Sequence, residues 1–357
     1  MKYALIGCGR ISPNHVVAAQ NNKLEMVAMC DLDPAKMETH ALRFENAKKA
    51  TRYTDYKEML AKEKPELVAI ATESGEHAKI AIDCIESGCN VIIEKPIALS
   101  IEDADRIIET GKKNNVKVCA CHQNRFNNAI QKIRLAVEQK RFGRLLYGTA
   151  QIRWARDYEY YHRAPWRGTW EQDGGALMNQ CIHDIDLLRW MMGDEIEEVV
   201  GMTDRQIHDY IDAEDLGLAM VKFKNGSYGI IEGTTNIYPR NLEETLCIFG
   251  EKGTVKAGGE AVNIIEEWRF SDYLEDPEEV KKECHEAPPN VYGFGHTKLY
   301  KDMIAAIEED RDPYVDGEAG KRALELVLGI YKSAATGETV KFPLTDCSTM
   351  DFKGRFK

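Results

Sequence analysis

Along the first 122 residues, short apolar runs alternate with stretches whose apolar positions recur at helical spacing. The runs predict strands at 2–6, 25–30, 66–71, 89–93 and 116–121, with helices beginning near residues 10, 34, 55, 76 and 101. Asp33-Pro34 reads as a cap followed by a proline in a first helical turn, and Ser100-Ile101-Glu102-Asp103 as a capping box. Strand and helix in strict alternation is the βαβ rhythm of a doubly wound parallel sheet. After residue 123 the rhythm changes. A helix over about 127–140 leads into longer alternating strands near 145–156, 195–207, 214–224, 227–237, 243–250 and 253–269, interrupted by a helix over about 174–192. That pattern predicts a mostly antiparallel sheet with a helix on one face. Helices over about 293–310 and 317–336 close the chain, and the acidic stretch from Ser271 to Glu283 reads as solvated. The expected architecture is α/β throughout: a dinucleotide-binding domain over 1–122, then a substrate-binding and oligomerisation domain over 123–357 with a large, open, mostly antiparallel sheet.

Length, charge and cysteines narrow the class. A chain of 357 residues suits two domains, and a formal net charge of −12 argues against nucleic acid as a partner. No apolar run approaches the ~18 residues of a membrane helix. Met1 to Ile6 enters a strand without the layout of a signal peptide, so a cytoplasmic location without a membrane partner is expected. The ten cysteines show no Cys-x-x-Cys pair and read as small, reduced core residues. Cys119, Cys121 and His122 form half of a metal-ligand set without an evident second half, so no metal is expected.

Gly7-x-Gly9 follows the first strand and opens a helix, the context that gives this short motif meaning. The glycines permit a tight turn and let a pyrophosphate approach backbone N–H groups, with Arg10 and Ile11 in the same turn. Ser12 stands where a third glycine or alanine is usual. Asp31 closes the second strand, where a carboxylate accepts from ribose hydroxyls and repels a 2′-phosphate. That favours NAD over NADP, although Arg10 is a cation that an extra phosphate also suits. Thr72, Ser74 and His77 follow a third strand and should line the same crevice, Ser74 alternatively serving as a helix cap. Glu94 and Lys95 follow a fourth, and Lys95 there faces whatever meets the nicotinamide. Gln123 and Arg167 complete the expected cofactor contacts.

Asn179 and His183 are four residues apart on one predicted helix, just after Gly174-Gly175, and so share a face. A histidine titrates near neutrality and can remove a hydroxyl proton while hydride leaves the same carbon. Lys95 is the second proton-handling candidate, and the residues alone leave open which of the two is the base. The plainer readings are a satisfied core histidine and a structural ion-pair lysine. Residues 153–167 interleave Arg153, Arg156, Arg163 and Arg167 with Trp154, Tyr158, Tyr160, Tyr161 and Trp166. Guanidinium groups suit diphosphate and carboxylate, and aromatic faces suit a base or sugar ring. A charged loop at a subunit interface is the alternative.

Taken together, Gly7-x-Gly9, Glu94-Lys95-Pro96, Gln123-Asn124-Arg125 and Gly174-Gly175 with His183-Asp184-Ile185-Asp186 resemble the glucose–fructose oxidoreductase/inositol dehydrogenase family over essentially the whole chain. The resemblance implies a Rossmann domain, an open-sheet domain whose outer face makes a homodimer or homotetramer, and a cis bond before Pro96. Members acting on free polyols carry aspartate at the position of Asn179, which orients a hydroxyl without serving as a base. A narrower resemblance, carried by Trp166 to Gln180, Tyr238-Pro239-x-Asn241-Leu242-Glu243 and Tyr292 to His296, is to the UDP-N-acetyl-2-amino-2-deoxy-D-glucuronate dehydrogenases. It implies oxidation of a UDP-linked sugar acid at C3, for bacterial surface polysaccharide, with Lys95, His183 and Asn179 catalytic. Arg125, Arg156, Tyr160 and Arg163 would join them in holding the substrate. The competing readings are a dehydrogenase for another sugar or a cyclitol such as myo-inositol, and a sensor that binds NAD(H) without turnover.

Overall fold

In a computed structural model that describes residues 1–259, 261–286 and 293–356, the chain forms two units, 1–122 with 296–321 and 123–295 with 322–357. The apolar runs of the first unit become β1 (Lys2–Ile6), β2 (Glu25–Cys30), β3 (Thr51–Tyr53), β4 (Leu67–Ile70), β5 (Asn90–Ile93) and β6 (Val118–Ala120). All pair in parallel, in the order β3-β2-β1-β4-β5-β6, so the order reverses between β1 and β4. Helices α1 (Ser12–Asn21), α2 (Pro34–Arg43), α3 (Tyr56–Glu63), α4 (His77–Glu86) and α5 (Ile101–Asn114) connect them. β4 is buried along its whole length, which is why it reads as a continuous apolar run. Asp33 caps α2 by accepting from Ala35 N; of the expected capping box the forward bond forms, Ser100 Oγ accepting from Asp103 N at 3.1 Å, while the Asp103 carboxylate takes the Ser100 hydroxyl rather than its N–H. β3 escapes a hydrophobicity reading because it is a three-residue edge strand, Thr-Arg-Tyr, with only Tyr53 buried.

A single cut at residue 122 is corrected by the later return of residues 296–321 to this unit. Leu299, Tyr300 and Met303 are buried on that return, Tyr300 Oη lies 3.0 Å from Tyr3 Oη, and Val315 O accepts from Ala120 N beside β6. The return is tied by side chains and one short pairing at the sheet edge, which a periodicity reading does not register.

The second unit holds α6 (Asn128–Glu138), β7 (Leu145–Arg153), α7 (Tyr158–His162), α8 (Ile182–Met192), β8 (Ile196–Asp204), β9 (Leu216–Phe223), β10 (Tyr228–Thr234), β11 (Glu243–Gly250), β12 (Gly253–Gly258), β13 (Ile264–Phe270) and α9 (Pro277–Glu283). A helix, α10 (Gly295–Glu308), then runs into the first unit's return, and α11 (Gly317–Thr336) leads to β14 (Val340–Lys341). Eight strands form one sheet in the order β13-β12-β11-β7-β10-β9-β8-β14, antiparallel except where β7 and β10 lie parallel. The expected strand over 253–269 is instead the hairpin β12–β13, because Gly259 (φ 94°) and Val262 (φ 45°) turn the chain between them. The stretch expected to be solvated contains α9, whose Val280 is buried.

Every residue of α8 is buried, and glycines in the sheet let this segment lie close. A Cβ at Gly148 would sit 2.8 Å from Leu188, one at Gly217 2.4 Å from Leu177, and one at Gly233 2.6 Å from Leu177. Gly217 and Gly233 are register partners on β9 and β10, so one notch two strands wide receives Leu177. On alternate positions of β8, β9 and β10, Val200, Met202, Leu218, Met220, Tyr228 and Ile230 are exposed. Gly217→Ala is expected to lower unfolding free energy by about 1–3 kcal/mol through overpacking against Leu177. Denaturant unfolding measures this, and an unchanged midpoint contradicts the notch.

Candidate active site

The loop after β1 is built by exclusion of side chains. Gly7 takes φ 90°, and a Cβ there would lie 2.5 Å from the carbonyl carbon and oxygen of Ala71, whereas beside Gly9 there is open space. α1 starts without a side-chain cap and with Pro13 in its first turn, the uncapped helix start that suits a pyrophosphate. Asp31 holds the loop from beneath, its Oδ2 accepting from Cys8 N at 2.7 Å and its Oδ1 from Asp33 N at 2.8 Å, with Lys36 Nζ at 3.4 Å. Ser12 is fully buried where a smaller residue is usual. Its hydroxyl donates to Gly9 O and lies 2.6 Å from His40 Nε2, so the imidazole donates to Ser12 and burial lowers its pKa. These groups fit a dinucleotide: a glycine turn, an uncapped helix start and a carboxylate at the end of β2. Arg10 is exposed and Ile11 half-buried in that turn.

Two expected cofactor contacts are committed inside the first unit. His77 is buried, with Nδ1 2.7 Å from Pro96 O and Nε2 3.2 Å from Thr72 O. Burial pushes its pKa down, so the neutral ring donates through Nδ1 and ties the Lys95–Pro96 segment, whose peptide bond is cis, to the start of α4. Ser74 opens a 3-10 turn, Ser74–Glu76, and caps nothing with its side chain. Glu94 is also buried: Oε1 accepts from His15 Nε2 at 2.9 Å and His296 Nε2 at 3.4 Å, and Oε2 from Lys95 N at 3.1 Å. Burial alone would raise its pKa, but the two histidines outweigh it and hold it well below the usual carboxylate range. Tyr300 Oη, 2.7 Å from His15 Nδ1, donates to that nitrogen and extends the network to Tyr3. The ligand-type atoms of His15, Glu94, Cys121 and His296 lie within 4.8 Å of one another. Burial keeps the Cys121 thiol protonated, and hydrogen bonds to one carboxylate account for the grouping. Lys95 itself is half-buried just after this network.

In the second unit the segment before α8 is a π-helical turn, Leu177–Cys181, a distortion frequent at functional sites. It carries Asn179, whose Nδ2 donates to Asp173 Oδ1; Asp173 Oδ2 accepts from Gly168 N at 2.7 Å. His183 follows one turn later, with Gln123 Nε2 3.4 Å from its Nε2. In the tautomer with its lone pair at Nε2, the neutral ring accepts from that amide. Gln123, expected at the cofactor, also pairs with the histidine. Arg125, expected at the substrate, is buried and bidentate to Asp186, Nε to Oδ2 at 2.7 Å and Nη2 to Oδ1 at 2.6 Å, under the ring of Trp190. Arg153 is likewise occupied by Glu232 and Glu243 across the sheet.

The remaining arginines surround Tyr160. The guanidinium carbons of Arg156 and Arg167 lie 5.0 and 4.2 Å from its ring centroid. Arg156 Nη2 donates to Gln180 Oε1, and Gln180 Nε2 to Tyr160 Oη at 2.9 Å, coupling this stack to the π-helical turn. Arg163 is exposed, 3.9 Å from Glu159.

Residues 1–122 match an oxidoreductase family with an NAD-binding Rossmann fold, and residues 130–256 match the GFO/IDH/MocA C-terminal domain. The chain belongs to the GFO/IDH/MocA oxidoreductase family. Over 96% of its length it superposes on the WlbA dehydrogenase of Bordetella pertussis, solved with NADH and UDP-GlcNAcA, with 38% identity, TM-score 0.88 and 98% of that chain covered. The WlbA dehydrogenase of Chromobacterium violaceum, solved with the same two molecules, gives 36% identity and TM-score 0.86, covering 96% of each chain. The myo-inositol 2-dehydrogenase of Thermotoga maritima is 26% identical over 96% of this chain and 98% of its own. This family member is an NAD-dependent sugar oxidoreductase.

Asp173 and Gln180 lay inside a motif read for resemblance, so the glycines between them drew attention and the flanking polar groups did not. His15 carries no local signal, because its partner is 79 residues away. Asp31→Ala removes the acceptor for Cys8 N and is expected to weaken NAD binding about tenfold or more, the worth of one hydrogen bond to a charged group. Calorimetric titration measures it, and an unchanged Kd contradicts the bracing role.

Proposed function

We propose that this family member oxidises the C3 hydroxyl of a UDP-linked N-acetylglucosaminuronate, in the synthesis of a bacterial surface sugar. The observation that carries the reading is the Arg156–Tyr160–Arg167 stack, joined through Gln180 to the turn that bears Asn179. Two cations around one aromatic face, with exposed Arg163 nearby in sequence, suit a ligand that carries diphosphate, carboxylate and a flat base. Likeness over nearly the full chain to two dehydrogenases solved with UDP-GlcNAcA supports the same choice. NAD, when bound, supplies the hydride acceptor. His183 takes the hydroxyl proton through its Nε2 lone pair, directly or by way of Lys95; Lys95 stabilises negative charge developing on the oxygen; and Asn179, its amide held by Asp173, orients the hydroxyl.

The runner-up is a cyclitol substrate, favoured by the Thermotoga relative. An amide at residue 179 and the arginine–aromatic stack weigh against it. The exposed row of Val200, Met202, Leu218 and Met220 supports assembly through the open sheet with a second copy of the chain.

His183→Asn and Lys95→Ala are each expected to lower turnover at least ~100-fold while leaving NAD affinity nearly unchanged. Near-normal turnover in both overturns the assignment. NADH formation with UDP-N-acetylglucosaminuronate, UDP-N-acetylglucosamine and myo-inositol separates the substrates. Equal rates with the acid and its neutral parent remove the carboxylate role from the arginines, and activity with myo-inositol alone selects the runner-up. Met220→Lys is expected to shift the assembly towards monomer in sedimentation; an unchanged mass rejects the sheet interface.

A further inference from the structure

The Gly174-Gly175 turn that leads into the π-helical segment closes on a buried carboxyl group, Glu214, in the turn just before β9. Gly175 has φ 98°, and a Cβ there would lie 1.8 Å from Glu214 Oε2, so the glycine is a notch for the acid. Glu214 Oε1 accepts from Leu177 N at 2.7 Å and lies 2.7 Å from Tyr331 Oη, which is 2.8 Å from Gly174 O and also accepts from Met178 N at 3.3 Å.

Counting hydrogens decides the protonation state. Tyr331 has one hydroxyl hydrogen and two oxygen neighbours, and Gly174 O has none to give. With an ionised Glu214, one of these short O···O contacts holds no hydrogen. With a neutral acid, Glu214 donates to Tyr331, Tyr331 donates to Gly174 O, and each contact holds one. We propose that Glu214 is a positioning residue that acts as a neutral carboxylic acid, clamping the turn that aligns Asn179 and His183, so that ionising it lowers turnover. Ionisation would draw the Tyr331 hydrogen away from Gly174 O and loosen a turn whose Gly175 O accepts directly from Asn179 N at 2.9 Å.

The surroundings agree. Burial raises the Glu214 pKa to about 8, against lowering by Leu177 N–H and Tyr331, and the Asp173 carboxylate raises it further. The other titratable groups that feel it are Tyr161, Cys181, Tyr331 and Arg355. Arg355, the cation of this set, donates to the backbone carbonyls of Tyr331 and Ala334.

The inference rests on the sugar-dehydrogenase reading, and its test keeps the two apart. Wild-type turnover with UDP-N-acetylglucosaminuronate is expected to fall above about pH 8, whereas Glu214→Gln, which cannot ionise, shows no such fall up to about pH 9.5 whatever its neutral-pH rate. The same alkaline fall in the variant, or none in the wild type, overturns the clamp. If Glu214→Gln does not fold, Tyr331→Phe serves: without the hydroxyl that links Glu214 to Gly174 O the clamp is open at every pH, so turnover is lowered already at neutral pH and the alkaline fall is lost; full neutral-pH turnover with the wild-type fall overturns the proposal. A readout without substrate is thermal unfolding. The folded chain binds this proton more tightly than the unfolded one, so its stabilisation is complete below the ordinary value of 4.5 and is lost as pH rises towards about 8. The wild-type midpoint should therefore drop more steeply over that window than that of Glu214→Gln; parallel curves overturn the clamp. A wild type that turns over none of the sugar at any pH defeats the substrate reading alone, and the thermal comparison then decides the clamp.

Discussion

The structure depends on places where backbone must come closer than a Cβ allows. Gly7 lies against Ala71 and Thr72, and the pair Gly217 and Gly233 lies under Leu177. In the first unit that approach opens the loop for a pyrophosphate. In the second it lowers a fully buried helix onto its sheet and fixes the height of Asn179 and His183. Side chains placed with such tolerance are preorganised, because their supports cannot shift without a collision.

Buried charge is the second constraint, and the fold meets it by closing each charge on local partners. Asp186 takes both Arg125 and Arg189, and Glu94 takes His15 and His296. Removing one partner would strand the other at the full desolvation cost. These networks brace the ends of the segments that carry Lys95 and His183.

Much of the fold was legible because hydrophobic periodicity and turn residues report local structure. The strands at 2–6, 25–30 and 243–250 and the helix at 317–336 coincide with their expected bounds. What escaped were features without a local signature: the three-residue edge strand Thr51–Tyr53, the turn made at Gly259 and Val262, and the return of residues 296–321 to the first unit. Among candidate site residues, Gly7 and Gly9 lie in the turn between β1 and α1 and Asp31 follows β2, whereas Asn179 lies in a π-helical turn and His183 in α8 rather than on one regular helix. Glu94, His77 and Arg125 were expected at ligands from their places in motifs and after strands, and the structure adds buried protein partners 5 to 202 positions away, which no local pattern reports. Residue type alone does not tell a ligand contact from a satisfied core partner.

The parallel pairing of β7 with β10 has an evolutionary consequence. These neighbours are held from Tyr147↔Tyr228 to Arg153↔Thr234, so the chain between them is one long excursion that starts and finishes at fixed rungs. The arginine–aromatic stretch and the Asn179 turn occupy its first part, before α8 settles on the sheet. Insertions or exchanges in the loop between about 156 and 172 can therefore reshape that stretch while leaving every ladder in register. A scaffold arranged this way lets specificity drift among sugars and cyclitols faster than its architecture, as the 26% identity retained along the whole length of an inositol dehydrogenase suits.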